Sequence, residues 1–235
     1  MIPWLEPDMP FPPIDAALDE FNGLLAASAE ITPERLLDAY RQGIFPWYGE
    51  GQPVLWWSPN PRMVLFVAEF RQTRSLRKAI RQGRYEIRVD SVFRDVIRAC
   101  AAVPRRGQSG TWITPAIVES YAALFEQGNA HSVEAWRNDR LVGGLYGVAV
   151  GRMFFGESMF ALEPDASKVA LANLVAMLRV REFPLIDCQQ QTAHLASLGA
   201  RAIPRGEFAE RVAALVNWPA PAGRWTPAAT SDVLA

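Results

Sequence analysis

Three rhythms of apolar and polar positions run along the chain, and each predicts an element. The longest alternation begins at Ser132-Val-Glu-Ala-Trp-Arg137, turns at Asn138-Asp139, returns over Leu141 to Val150, turns at Gly151-Arg152 and runs out again over Met153 to Phe160. A period of two with short polar turns predicts three antiparallel strands. Residues 166–180 change to a helical stripe, Pro184-Leu-Ile-Asp187 is a short strand buried on both sides, Thr192 to Leu198 is a short helix stopped by Gly199, Ala200 to Ile203 is a strand, and 206–216 is a helix before a proline-rich tail. Upstream, Thr32-Pro33 opens a helix that Gly43 stops, Met63 to Ala68 reads as a strand, 72–82 as a helix, Tyr85 to Val89 as a strand and Val92 to Ala102 as a helix. Thr114-Pro115 opens another helix, stopped by Gly128. Residues 1–30 read as an irregular N-terminal segment, 43–51 as a loop carrying three aromatic rings, and 105–112 as a flexible loop, mobile when empty. The prolines of Leu55-Trp-Trp-Ser-Pro-Asn-Pro-Arg62 suggest a boundary between a small N-terminal domain, 1–62, and a larger one, 63–235.

From residue 113 the order is helix, three antiparallel strands, helix, strand, helix, strand, an α+β arrangement. It resembles the GCN5-related N-acetyltransferase fold, and HLASLGARAI looks like that fold's late helix-turn-strand. That fold cradles a coenzyme A pyrophosphate in a glycine-containing loop after its central strand. After Phe160 this chain instead has Ala-Leu-Glu-Pro-Asp-Ala-Ser, with two acids and no glycine, which disfavours coenzyme A. The glycines of Gly143-Gly-Leu-Tyr-Gly147 lie inside a strand, where they mark close backbone packing rather than a dinucleotide loop.

Composition narrows the function. Half the residues are apolar and 21% charged, enough for a sizeable core. No apolar run reaches the ~18 residues of a membrane span. The start MIPWLEPDMPFPP lacks the basic, then apolar, character of a signal peptide. Cys100 and Cys188, far apart, suit a reducing cytoplasm, and with only His131 and His194 a transition-metal site is not expected. The net charge of −1 hides an asymmetry: residues 1–38 carry eight acids against Arg35, whereas residues 71–88 carry seven basic residues against Glu86. Arg74, Arg77, Lys78 and Arg81 fall on one helical face, either a polyanion patch or a solvated face paired with the acidic N-terminal region.

No serine, cysteine or histidine lies in a recognisable nucleophile motif. Asp187, at the end of a buried apolar strand, is the costliest polar group to explain, and Gln189, two residues on, is expected on the same face. The pair could hold a polar substrate group, or Asp187 could simply cap the next helix. Glu157 stands in the otherwise apolar Phe154-Phe-Gly-Glu-Ser-Met-Phe160, reading either as a site acid or as an edge residue facing water. Eight tryptophans, with Trp47, Trp56, Trp57 and Trp112 in or beside loops, add stacking surfaces. Together with the arginine face they suggest a single-stranded nucleic-acid ligand.

The segments NGLLA (22–26), AYRQGIFPWY (39–48), LWWSPNPR (55–62), GTWIT (110–114), HSVEAW (131–136), LVGGLYGVA (141–149), FGESMF (155–160), ASK (166–168), LIDCQ (185–189) and HLASLGA (194–200) resemble the leucyl/phenylalanyl-tRNA–protein transferases, from about residue 20 to 210. The resemblance implies a small N-terminal domain followed by an acetyltransferase-like domain, with no coenzyme A, other cofactor or metal. It implies a cytoplasmic enzyme that moves Leu or Phe, and Met less well, from Leu-tRNA or Phe-tRNA to proteins with N-terminal Arg or Lys, marking them for N-end rule degradation. By the same resemblance Asp187 and Gln189 are the catalytic pair, Glu157 helps bind the cationic acceptor, and Leu145, Phe154, Met159 and Leu174 form the aminoacyl side-chain pocket. Trp47 and Trp112, assisted by Tyr40, flank the 3′-terminal adenosine, and Arg74, Arg77, Lys78 and Arg81 take the tRNA backbone. Two alternatives stay open: a coenzyme A-dependent acyltransferase of the same fold, and a non-enzymatic RNA-binding module.

Overall fold

The computed structural model describes residues 2–103, 111–219 and 224–234. In chain order the elements are β1 (Trp4–Leu5), β2 (Leu24–Ser28), α1 (Pro33–Arg41), β3 (Phe45–Pro46), β4 (Val54–Trp57), β5 (Arg62–Phe66), α2 (Arg74–Arg81), β6 (Glu86–Val89), α3 (Phe93–Ala102), α4 (Pro115–Glu126), β7 (Ala130–Arg137), β8 (Arg140–Val150), β9 (Met153–Ala161), α5 (Ala166–Val180), β10 (Leu185–Gln189), α6 (Ala193–Ser197), β11 (Arg201–Ile203), α7 (Arg205–Leu215) and α8 (Thr230–Leu234). The predicted loop 105–112 lies mostly outside the described residues. The N-terminal segment is more ordered than its prolines suggest: β1 pairs with β2 in parallel, and β4 joins β2 to β3 in a four-stranded sheet ordered β1-β2-β4-β3. Trp56, expected beside a loop, is wholly buried in β4, where its indole N–H donates to Ser28 Oγ at 2.9 Å.

The second sheet has seven strands in the order β11-β5-β10-β9-β8-β7-β6. Its strands pair antiparallel except β9 with β10, which run parallel and are joined through α5. Strand β5, which follows the small sheet in the chain, inserts between the last two strands, second from the edge, and brings Arg62 beside β10. The architecture is therefore mixed α/β with a small N-terminal sheet.

Strand alternation divides the core into two layers. Tyr146, Val148, Phe155 and Leu185 face α1, α3, α4, α7 and the small sheet, whereas Leu145, Ala149, Phe154 and Ile186 face α2 and α5. Buried over nearly its whole length, α5 carries small residues where it meets the sheet: a Cβ at Gly143 would lie 2.5 Å from Ala166 Cβ. At Gly147 a Cβ would stand 2.3 Å from Phe155 O and 2.5 Å from the Phe154 ring, so this glycine makes room for that ring. The proline-rich tail also returns to the body. Trp225 donates its backbone N–H to Asp90 at 2.9 Å and stacks on His131 with centroids 4.0 Å apart. No helix among the described residues is long and apolar enough to cross a membrane.

Candidate active site

Two breaks in strand register build the site. On β9, Tyr146 pairs with Ser158 and Gly147 with Gly156, so Glu157 is an extra residue facing no partner on β8. On β10, Asp187 pairs with Val64 and Gln189 with Met63, and Gln189 adopts a left-handed φ of 54°. Such bulges re-aim side chains. The parallel pairing of β9 with β10 also stops at Phe155 and Asp187. Beyond that point the strands' carboxyl ends part, as at ligand sites in open sheets. A cavity of about 560 Å³ opens there. Its apolar wall includes Leu145, Phe154, Met159 and Leu174, with Leu171 and Ile186; Trp47 and Trp112 line it from the loops, and Glu157, Gln189 and His194 are among its polar members. The bulge at Glu157 is what lets Phe154 and Met159, five residues apart, share one side of the sheet, because strict alternation would send them to opposite faces.

Asp187 and Gln189 do not present one polar face. Asp187 is wholly buried behind the cavity, and Arg62 holds it in a fork, Nε to Oδ1 at 2.8 Å and Nη2 to Oδ2 at 2.6 Å. The Arg62 guanidinium stacks on the rings of Phe45 and Phe208, 4.7 and 4.5 Å from their centroids. Asp187 Oδ1 also accepts the backbone N–H of Gln189 at 3.0 Å. With both oxygens engaged and no exposed surface, this carboxylate has no direct path to a substrate; Gln189, which lines the cavity, does. Sequence reasoning misses Arg62 because an arginine after two prolines looks like a loop residue.

Glu157 is neither an edge residue nor a freely hydrated one. Tyr40 of α1 donates to Oε1 at 2.7 Å and Tyr121 of α4 donates to Oε2 at 3.0 Å; the two phenol oxygens also touch each other, a contact that competes for the same two protons. Gln189 Nε2 stands 3.5 Å from Oε1. Burial pushes the Glu157 carboxyl up to about 7, against the lowering effect of the two phenols. Burial and the neighbouring carboxylate hold both phenols well above their ordinary range, so they remain donors. This also corrects Tyr40: a ring with no exposed surface cannot stack on a base, and its hydroxyl is committed to Glu157. Tyr121, in the middle of an apolar helix stripe, gives no signal in the sequence other than core.

The sequence profile of the leucyl/phenylalanyl-tRNA protein transferases matches residues 64–213, and that of their N-terminal domain matches residues 29–60. The chain belongs to this family. It is 58% identical to the leucyl/phenylalanyl-tRNA–protein transferase of Burkholderia lata, over 93% of this chain and 89% of that one. It is 57% identical to that of Paraburkholderia phytofirmans, over 100% and 99%. Among solved structures, a functionally unknown conserved protein from Staphylococcus epidermidis aligns over 77% of this chain and 68% of its own at TM-score 0.39 and 11% identity, too distant to carry an argument about the acetyltransferase-like fold. Family membership makes the protein an aminoacyltransferase, transferring from aminoacyl-tRNA to proteins.

The remaining site residues sort by exposure. Trp47 is fixed through its carbonyl, which accepts the Trp57 indole N–H at 2.7 Å, and the two rings meet edge to face. Helix α2 buries Leu76, Ala79 and Ile80 and exposes Arg74, Arg77, Lys78 and Arg81. Two of the N-terminal acids have ion pairs elsewhere, Asp38 with Arg35 and Asp19 with Arg205. No group of three or more His, Cys, Asp or Glu suited to a metal occurs among the described residues.

Proposed function

We propose that the cavity takes the aminoacyl end of Leu-tRNA or Phe-tRNA and that the enzyme transfers this residue, and Met less well, to the N-terminal Arg or Lys of acceptor proteins in the cytoplasm, marking them for N-end rule degradation. The observation that carries the reading is the pairing in one cavity of a wall of apolar side chains with a single carboxylate among the described lining residues, Glu157. Leu145, Phe154, Met159 and Leu174 offer no polar group, so the donor is chosen by size and apolarity. Such a pocket separates side chains differing by one methylene by only ~1–3 kcal/mol, which fits the acceptance of several apolar residues. Charged donors are rejected because nothing there offsets their desolvation. Trp47 and Trp112 are positioned to flank the 3′-adenosine by stacking, and the exposed face of α2 follows the tRNA backbone.

An aminoacyl ester is already activated, so neither a covalent enzyme intermediate nor a cofactor is required. The task is to hold a neutral α-amine against the ester carbonyl and stabilise the oxyanion. In this reading Gln189 contacts the amine, Asp187 and Arg62 fix the turn that presents Gln189, and Glu157 attracts the cationic acceptor. The antiparallel β7-β8-β9 meander followed by α5 and the parallel strand β10 supports an acetyltransferase-like fold for 63–235, behind a separate domain over 1–62. The test is competition among leucyl-, phenylalanyl-, methionyl- and aspartyl-tRNA for peptides beginning with Arg, Lys, Ala or Asp. Transfer of Leu and Phe to Arg- and Lys-starting peptides is expected. Efficient transfer of Asp, equal use of Asp-starting peptides, or acetyl transfer from acetyl-coenzyme A would overturn the reading.

A further inference from the structure

Asp187, the acid the sequence singles out, is sealed behind Gln189 and matched by Arg62, so it cannot receive a proton from the acceptor. An amide such as Gln189 is too weak a base to do so. Yet the acceptor arrives as an ammonium ion, and only its neutral form attacks a carbonyl. Glu157 is the carboxylate that remains. It lines the cavity beside Gln189, the β9 bulge aims it there, and two phenols grip it from α1 and α4, one on each oxygen. Oε1 also accepts Gln189 Nε2 at 3.5 Å, whereas Oε2 accepts only Tyr121 among the described hydrogen bonds and keeps a lone pair for the acceptor, and no described cation forms an ion pair with the carboxylate. We infer that Glu157 is the group that takes the proton from the acceptor's α-ammonium, with Tyr40 and Tyr121 as the residues that position it. The inference deepens the proposed transfer reaction and rests on it.

The protons balance without another reactant. The ammonium gives one proton to the Glu157 carboxylate and becomes a neutral amine. The amine nitrogen bonds to the ester carbonyl carbon, the tetrahedral species collapses, and the bond from that carbon to the 3′-oxygen breaks. The second proton leaves the nitrogen for the 3′-oxygen, completing the tRNA hydroxyl, and Glu157 releases its proton to solvent. A base acts best when its proton affinity lies near the working pH, and burial has brought Glu157 to about 7. The groups facing it are Tyr40 and Tyr121, whose hydrogen bonds favour the carboxylate, Asp187, whose charge opposes it, and Arg62, whose charge favours it.

The experiment is single-turnover leucine transfer from Leu-tRNA between pH 5.5 and 9. One acceptor is an Arg-starting peptide, and the other is the same peptide with an aminooxy group in place of the α-amine, whose nitrogen is neutral throughout. A proton acceptor in this position typically contributes about 10²–10⁴-fold. Glu157→Gln is therefore expected to slow the ammonium acceptor at least 100-fold and the aminooxy acceptor less than 10-fold, with Leu-tRNA binding unchanged. Tyr40→Phe, which removes one hydrogen bond to the carboxylate, is expected to move the acid limb of the wild-type profile to higher pH. An equal penalty for both acceptors, or an acid limb unmoved by Tyr40→Phe, would overturn the inference while leaving the transfer reaction in place. Wild-type enzyme that leucylates neither acceptor would overturn the reading beneath it.

Discussion

Asp187 and Glu157 stand on two adjacent parallel strands, β10 and β9, close to where the pairing of the two strands stops. Asp187 is wholly buried, and Glu157 is half-buried in the cavity wall. Asp187 is matched by a full charge: a forked guanidinium 2.6–2.8 Å away, stacked between two aromatic rings, and a backbone N–H at 3.0 Å. Glu157 makes no ion pair among the described residues; it receives hydrogen bonds from neutral groups, the hydroxyls of Tyr40 and Tyr121 and the Gln189 amide, while the Arg62 charge favours it without contact. A buried carboxylate forked by a guanidinium is held in place by that pair, and breaking such a pair is costly. One held by phenols sits near the balance between its two protonation states. The sequence shows one Asp and one Glu, and the difference in their roles comes wholly from what the fold sets against each.

Changing each acid to its amide separates the two environments, and the larger effect belongs to Asp187. Asp187→Asn leaves the buried Arg62 charge half-matched and is expected to lower folding stability by about 3–5 kcal/mol, read as the midpoint of urea denaturation. A loss below about 1 kcal/mol would mean that the pair is relaxed or hydrated. Next comes Gln189→Ala. It keeps the backbone N–H that bonds Asp187 but removes the side chain that reaches the cavity, so turnover should fall about 100-fold, or ~2.7 kcal/mol in barrier, with stability and Leu-tRNA affinity near wild type. Equal losses in stability and turnover would place Gln189 in the framework instead. The smallest effect has the opposite sign. Glu157 has a folded-state pKa raised from 4.5 to about 7, so its stabilising contribution is present below pH 4.5 and is lost as pH rises through about 7. Glu157→Gln lacks this titration. Since a tenfold change in proton affinity corresponds to ~1.4 kcal/mol, the variant is expected to be more stable than wild type at pH 8 by about 1–3 kcal/mol, the difference fading toward pH 4.5. Parallel stability curves for the two proteins would contradict a raised Glu157.

What is legible in the sequence depends on the range of the interactions involved. Helix α5 is readable to the residue and the three-strand meander nearly so, because their signals are local: a period of 3.6, a period of two, and turns at Asn138-Asp139 and Gly151-Arg152. Leu145, Phe154, Met159 and Leu174 are named by resemblance and do line one cavity. The features that escape depend on pairing across the chain. Arg62 meets Asp187 over 125 residues and Tyr121 meets Tyr40 over 81, and no periodicity announces either. The expectation that Gln189 shares a face with Asp187 assumes an unbroken pleat, whereas Gln189 sits at a register shift with a positive φ. Strands β1 and β2 are hidden because prolines and alanines carry little β signal, although the small sheet gives them partners.

The division of labour between the two acids is tested most directly by their ionisation. With glutamate side-chain carboxyls labelled with carbon-13, one resonance is expected to titrate near pH 7 in the wild-type enzyme. It should be absent from Glu157→Gln, and Tyr40→Phe should move its midpoint to higher pH. If every glutamate titrates in the ordinary carboxylate range, between about pH 4 and 5, Glu157 is a plain anion at neutral pH and the contrast with Asp187 fails.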